Sequence, residues 1–211
     1  VLLLPGSRER AYEDLALLLD AALLMSDEEE LRFAMVVAPT LDPGRLLEKA
    51  PSWERAPGDV IRTRGGSLQV ELFFGDLSEV ALGAEVLVGL GGTANQICAG
   101  LGIPVVSIDE KGKRVQKKLL GGAESLVPAD AASLAGEALA ILRDPDRRES
   151  MSRAGKQRMG TGGAVEAVIE YASLTLGWSK RQEVCRVFGA HVEKHLGRAV
   201  REPEEHGGDR S

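Results

Sequence analysis

The sequence is poor in aromatic residues, cysteine and histidine, and these shortages exclude several classes of function. Aromatic residues occupy 4% of the 211 positions, which argues against a surface that stacks on single-stranded nucleic acid. The two cysteines, Cys98 and Cys185, lie far apart in helical patterns, so neither a disulfide framework nor a zinc site is expected. A reduced, cytoplasmic setting is therefore the expectation.

The sequence also lacks an excess of positive charge and any long apolar run. A formal net charge of −6 argues against a general nucleic-acid binder, which needs a basic field. No segment reaches the roughly 18 consecutive apolar residues of a membrane-spanning helix, although peripheral contact with the inner face of a membrane stays open. With 44% hydrophobic residues, the chain can form one domain with a proper core.

The most informative segment that is present is residues 86–107, where a strand-like run, a glycine-rich turn, a helix and a second strand-like run follow one another. The turn contains Gly89, Gly91 and Gly92, and the helix begins near Thr93. Glycines let the backbone approach an anion closely, and a helix amino terminus favours negative charge. The segment predicts a phosphate-bearing ligand, although the same turn also serves as a simple connection in parallel sheets.

This turn departs from two common nucleotide-binding patterns. It has no Gly-Lys-Ser/Thr sequence, and Ala94 occupies the last glycine position of a G-x-G-x-x-G pattern. Simple ATP hydrolysis and ordinary NAD binding are therefore disfavoured.

Apolar runs and helical periodicities alternate along the first half of the chain. This alternation predicts an α/β fold with a doubly wound parallel sheet and with ligands at the carboxyl ends of the strands. We expect strands at 1–4, 31–38, 69–74, 85–88 and 105–108, helices at 9–25, 43–49 and 76–82, and a loop over 50–67 with a short strand candidate at 59–64.

Beyond residue 108 the pattern is almost wholly helical. We expect helices at 114–120, 131–143, 145–159 and 164–176, with Asp130 and Pro145 marking helix starts. An amphipathic helical extension over 177–200 and a disordered tail over 201–211 follow. Because a core-like strand begins at Val1, the chain is interpreted as a fragment or as the second domain of a longer protein.

Four segments resemble the carboxy-terminal domain of lipid-A-disaccharide synthase and its relatives, and they are most similar to the lipid-A-disaccharide synthase-related proteins. They occur in order and at compatible spacing over residues 1–176. The segments are LLPGSR at 3–8, GTA with a helix and GLGIPVV at 92–106, QKKLLG at 116–121 and GKQRMG at 155–160, followed by Gly163 and Ala164.

This resemblance implies the GT-B glycosyltransferase architecture, in which two Rossmann-like domains face a cleft. The chain would be the second domain (1–176), which binds a nucleotide-sugar donor, usually a UDP-sugar, for transfer to a lipid or envelope acceptor. The family uses neither a metal ion nor a cofactor, so backbone N–H groups and basic side chains stabilise the departing diphosphate. The acceptor pocket and the base belong largely to the amino-terminal domain, so no catalytic residue is assigned and the isolated chain should not turn over.

The resemblance also implies a set of donor-binding residues. Arg8 would contact the diphosphate, with a surface arginine as the alternative, and Thr93 would be a hydroxyl donor or a helix cap. The full set is Gly6, Ser7, Arg8, Gly91, Gly92, Thr93, Ala94, Gln96 and Gln116.

The chain departs from the family at two places. Ile97 stands where many members have a ribose-binding glutamate, and the neighbouring Gln96 is the substitute considered. The segment 109–114 is shorter than expected and basic, with Lys111, Lys113 and Arg114. A solvated loop is favoured there over a mobile loop beside the diphosphate, and Gln116 either reaches the donor sugar or lies on the helix surface.

Two other functions stay open. A nucleotide-sugar 2-epimerase would share the architecture, but it needs acid and base groups in the cleft, and His191, His195 and His206 all lie in the tail. A non-catalytic binding or scaffold module is the other alternative. His191 and His195 have a spacing that can hold a metal, but no third ligand accompanies them.

Overall fold

The computed structural model of the protein describes residues 1–66, 68–160 and 168–172. Its strands are β1 (Leu2–Leu4), β2 (Phe33–Val36), β3 (Trp53–Ala56), β4 (Val60–Thr63), β5 (Gln69–Phe73), β6 (Leu87–Gly89), β7 (Val105–Ile108) and β8 (Glu124–Val127). Its helices are α1 (Ala11–Ser26), α2 (Leu77–Ala81), α3 (Thr93–Leu101), α4 (Lys111–Leu120), α5 (Ala131–Arg143) and α6 (Pro145–Met159), with 3-10 turns at Pro43–Arg45 and Gly121–Ala123.

The eight strands form one mixed sheet in the order β3-β4-β5-β2-β1-β6-β7-β8. From β5 to β8 neighbouring strands are parallel, and the sequence-based prediction of a Rossmann-like α/β fold is confirmed. Strands β3 and β4 are antiparallel additions at one edge. The strand order reverses at β1, which lies between β2 and β6, and such a reversal is where α/β proteins bind ligands.

Helices cover both faces of the sheet. Successive residues of a strand point to opposite faces, and in β1 the residues on both faces are leucines that must be buried. Leu3 packs in a core with residues of α1 and α5, whereas Leu2 and Leu4 pack in a second core with residues of α3 and the turn after α4. All three leucines are buried. The sheet is therefore doubly wound, as the alternating pattern predicted.

The loop prediction over 50–67 was wrong in part, because residues 53–63 form a β-hairpin. Pro57 and Gly58 occupy its turn, where Gly58 has a φ of +79°. Trp53 and Ile61 on the two strands are buried. The prolines and glycines that suggested a loop thus mark the turn and the flanks of a hairpin.

The prediction that the chain is almost wholly helical beyond 108 missed β8. This strand has only four residues and begins with Glu124, so it shows no apolar alternation. It becomes a strand by pairing with β7 over its whole length. The helix starts that follow were predicted correctly, since Asp130 accepts from the Ser133 N–H at 2.7 Å and Pro145 is the first residue of α6.

Helices α3 and α6 approach closely at Gly155. A β-carbon on Gly155 would lie 2.1 Å from the Ala99 carbonyl oxygen, so no larger residue fits without a shift of the backbone. This close packing explains the glycine at position 155, which belongs to one of the four sequence segments.

The described chain up to Gly160 forms one unit, and the segment 168–172 is helical. The predicted boundaries at 176 and 200 and the predicted tail 201–211 lie outside the described residues.

Candidate functional site

Two glycine-rich turns lie side by side at the carboxyl ends of β1 and β6. Leu4 is paired with Gly89, and the Leu90 N–H donates to the Leu4 carbonyl at 2.8 Å. A β-carbon on Gly6 would lie 3.8 Å from the Cα of Gly91, and Gly6 has a φ of +108°. The parallel register of the two central strands therefore brings together two turns that are far apart in sequence.

These turns border a cavity of about 550 Å³. Eight of the nine predicted donor-binding residues line it: Gly6, Ser7, Arg8, Gly91, Gly92, Thr93, Ala94 and Gln116. Gln96 is half-buried on α3 and is not part of the lining, and its neighbour Ile97 is exposed. The contacts of all nine residues with a ligand stay a prediction.

The amino terminus of α3 opens into this cavity. Thr93 is the first helical residue, and the cap position is occupied by Gly92, so no side chain caps this helix start. The first backbone N–H groups of a helix have no partner within the helix, and they attract anions. Thr93 is exposed, so its hydroxyl is free to serve as a donor, whereas the cap position that was its alternative role belongs to Gly92.

Behind the second turn lies a buried polar cluster that the sequence did not reveal. The Asn95 amide and the Ser107 hydroxyl both donate to the Gly89 carbonyl, at 2.8 and 2.7 Å. The Gln116 amide donates to the Glu124 carboxyl group, so Gln116 is not a surface residue. A serine within the apolar run 105–108 was the one signal of this cluster in the sequence.

Glu124 is the titratable member of the cluster. Burial raises its pKa, while the hydrogen bond from Gln116 and the charges of Lys113 and Lys117 act in the opposite direction. Among the described residues, Glu124 Oε2 and Asn95 Oδ1 are the buried side-chain atoms that have no hydrogen-bond partner. A carboxyl group that keeps its proton would satisfy both atoms.

Lys113 overturns the prediction of a solvated loop over 109–114. Only Asp109 and Glu110 separate β7 from α4, which begins at Lys111, and Lys113 lies on the first turn of this helix. The Lys113 ammonium group donates to the carbonyl oxygens of Leu90 and Gly91, and it lines the cavity. Burial lowers its pKa.

The cavity mouth carries charges of both signs. Arg8 is exposed, and within the described part of the chain it makes no side-chain hydrogen bond or ion pair. Arg10 instead donates to both oxygens of Glu110, at 2.8 and 2.5 Å, and to Asp14 at 3.1 Å. This bond to Arg10 lowers the pKa of Glu110, whereas burial raises the pKa of Asp14.

Neither a metal site nor a membrane segment was found within the residues that the structure describes. No cluster of three or more His, Cys, Asp or Glu side chains there has the geometry for a metal ion. None of the helices in that part is long and apolar enough to cross a membrane. His191, His195 and His206 lie outside it.

A scan against protein-family models and a search of the curated proteins found no match. Among solved structures, the chain is similar to a protein assigned as a UDP-N-acetylglucosamine 2-epimerase from Listeria monocytogenes, with a TM-score of 0.62 and 18% identity over 85% of this chain and 46% of that one. It is also similar to the UDP-GlcNAc 2-epimerase from Neisseria meningitidis bound to UDP-GlcNAc, with a TM-score of 0.54 and 14% identity over 80% and 42%.

A further UDP-N-acetylglucosamine 2-epimerase structure gives a TM-score of 0.53 at 18% identity, over 84% of this chain and 41% of that one. The chain therefore spans less than half the length of each of these proteins. The likeness supports the GT-B-like fold that the sequence motifs predicted, and it does not single out lipid-A-disaccharide synthases.

Proposed function

We propose that the chain is the donor-binding half of a two-domain GT-B-like enzyme and that it binds a nucleotide sugar, most favourably a UDP-sugar, in the cavity between β1 and β6. One observation carries the proposal. The two glycine turns and the amino terminus of α3 meet at the carboxyl ends of adjacent parallel strands, where the strand order reverses. Such a place combines close backbone approach with unpaired N–H groups, and both favour a diphosphate.

Each residue has a distinct role in this proposal. The N–H groups of Thr93 and Ala94 face the diphosphate, and the exposed guanidinium of Arg8 forms a charge-assisted contact with it. Negative charge that develops on the departing diphosphate during transfer is stabilised by these same donors. The sugar acceptor, a lipid or envelope component, follows from the sequence resemblance alone, whereas a cytoplasmic location rests on the cysteine usage of the sequence.

A 2-epimerase acting on a UDP-sugar is the second candidate. The three solved structures reported above carry that name. Against it, the described residues 1–66, 68–160 and 168–172 contain no histidine that could join the acid and base chemistry. Incubation with UDP-GlcNAc tests this candidate, because epimerisation at C2 gives a diastereomer with a different proton NMR spectrum, and formation of that product would favour the epimerase over the transferase.

Calorimetric titration with UDP, with ADP and GDP as controls, tests the proposal. We expect selective UDP binding that Arg8→Ala weakens by about tenfold or more, the size of a charge-assisted hydrogen bond. Arg32→Ala is the matched control, because Arg32 is exposed and precedes β2, so it lies at the amino ends of the parallel strands, opposite to the ends that border the cavity. A chain that binds no nucleoside diphosphate would contradict the proposal.

A further inference from the structure

We infer that Lys113 is a ligand-binding residue of this cavity and that its ammonium group makes the second glycine turn attractive to a diphosphate. This inference rests on the proposed function, because it names a further contact of the same site. In the sequence Lys113 belongs to a basic segment with no distinguishing pattern. In the structure it alone of that segment's three basic residues lines the cavity.

The geometry leaves one donor of Lys113 for a ligand. An ammonium group has three N–H donors and no acceptor. Two of them go to the carbonyl oxygens of Leu90 and Gly91. Because the side chain also borders the cavity, the third donor is available to a phosphate oxygen there.

The two carbonyl groups explain why a cation is needed at this point. Carbonyl oxygens carry partial negative charge, so an open pair of them beside the cavity would repel a phosphate. The ammonium group neutralises both and adds a positive charge of its own. It also fixes the turn before α3, so the N–H groups at the helix start keep one orientation.

The acidic group of the buried cluster behind the turn, Glu124, does not have to cancel this charge. Glu124 and Asn95 are 1% and 0% exposed, and Glu124 Oε2 and Asn95 Oδ1 lack partners within the described part of the chain. Burial raises the pKa of Glu124, and a retained proton donated to the neighbouring Asn95 would satisfy both atoms and leave the carboxyl group neutral. With Glu124 neutral, the acidic groups that still act on Lys113 are Asp14 and Glu110, and Arg10 already pairs with both of them, which favours an anionic ligand.

Two single-residue changes on α4 test the inference. Lys113→Met removes the ammonium group, and Lys111→Met removes an exposed charge from the same helix turn as the matched control. The probes are inorganic pyrophosphate and UDP, titrated by calorimetry, with thermal unfolding measured for each protein. We expect Lys113→Met to lose about tenfold to hundredfold in affinity, and Lys111→Met to stay within about twofold.

The outcomes separate this inference from the proposed function. If the wild-type chain binds neither probe, the proposed function fails and the inference falls with it. If wild type binds but Lys113→Met binds equally well, Lys113 only ties the turn together and the inference alone is overturned.

A pH series covers the case in which Lys113→Met does not fold. Arg10, Asp14, Glu110 and Glu124 all act on Lys113, but burial dominates and lowers its pKa. Wild type should therefore lose affinity for UDP relative to Lys113→Arg as the pH rises from about 7 to 10, because a guanidinium group stays charged. The quantity compared is the affinity of wild type divided by that of Lys113→Arg at each pH, and ionisation of the ligand cancels in this ratio. A ratio that does not change with pH would overturn the inference.

Discussion

The two glycine turns that border the cavity differ in how they are supported. After β1, the turn is exposed from Ser7 onward, and the Arg8 side chain has no partner within the described residues. The side-chain hydrogen bond to a carbonyl of this turn comes from the exposed Thr40 hydroxyl, which donates to Ser7 at 2.7 Å. After β6, the carbonyl groups of Gly89, Leu90 and Gly91 all accept hydrogen bonds from buried or half-buried side chains. The first turn is thus free to adapt to a ligand, and the second is preorganised for one.

Among the changes that test this difference between the two turns, Gly89→Ala is expected to have the largest effect. A β-carbon there would lie 2.3 Å from Asn95 Oδ1, inside the buried cluster that supports the second turn. We expect a loss of about 1–3 kcal/mol in the free energy of unfolding, typical of an overpacked core, together with weaker UDP binding. Chemical denaturation measures the first effect and calorimetry the second.

Gly136→Ala is the matched control for that change. Gly136 lies within α5, and a β-carbon would meet no atom within 4 Å. Because alanine is the better helix former, we expect a gain of up to about 1 kcal/mol. Equal stabilities of Gly89→Ala and wild type would contradict the tight support of the second turn.

A smaller effect is expected from the protonation of Glu124. The pKa of Glu124 is raised in the folded state by burial. The stability that Glu124 contributes is therefore present below its unfolded pKa of 4.5 and is lost as the pH rises through the raised pKa of the folded state. Glu124→Gln imitates the protonated acid and should remove this loss. Denaturation of both proteins between about pH 4 and pH 8 measures it.

Glu71→Gln, at an exposed position on β5, is the control for this pH series. It should leave the pH dependence of wild type unchanged. If Glu124→Gln is less stable than wild type at neutral pH, Glu124 works as a carboxylate, and our account of the buried cluster is wrong.

The smallest effect concerns the ion pair at the cavity mouth. Glu110 holds the guanidinium group of Arg10 with two hydrogen bonds, in competition with a ligand phosphate. Glu110→Gln should therefore raise the affinity for UDP, by less than about fivefold because the pair is largely exposed. Asp109→Asn is the control, since Asp109 pairs with Arg114 away from the lining. A lower affinity in Glu110→Gln would show that Glu110 supports the ligand.

The sequence predicted the positions of the glycine turns better than it predicted the buried side chains that hold the turn after β6. Local patterns reveal a strand, a glycine turn and a helix start, which is why β1, β6 and the residues Gly6 and Gly91 were predicted correctly as parts of such units. Helix starts were equally local, because Asp130 and Pro145 act within a few residues of their own position.

The buried cluster could not be predicted because it depends on distant contacts. Glu124 belongs to a four-residue strand without apolar alternation, and it is buried only because β8 pairs with β7 and α4 lies beside it. Lys113 looks like any exposed lysine until α4 brings it to the carbonyl groups of a turn more than twenty residues earlier. Neither position carries a local signal of burial.

The location of the ligand is the central claim, and amide NMR shifts of the ¹⁵N-labelled chain during a UDP titration test it most directly. We predict that the largest shift changes occur at Gly6, Ser7 and the amides of residues 91–94, with little change at Gly58 and Gly136, which lie outside the cavity lining. UDP binding that leaves the amides of both glycine turns unmoved, and shifts others instead, would contradict the account.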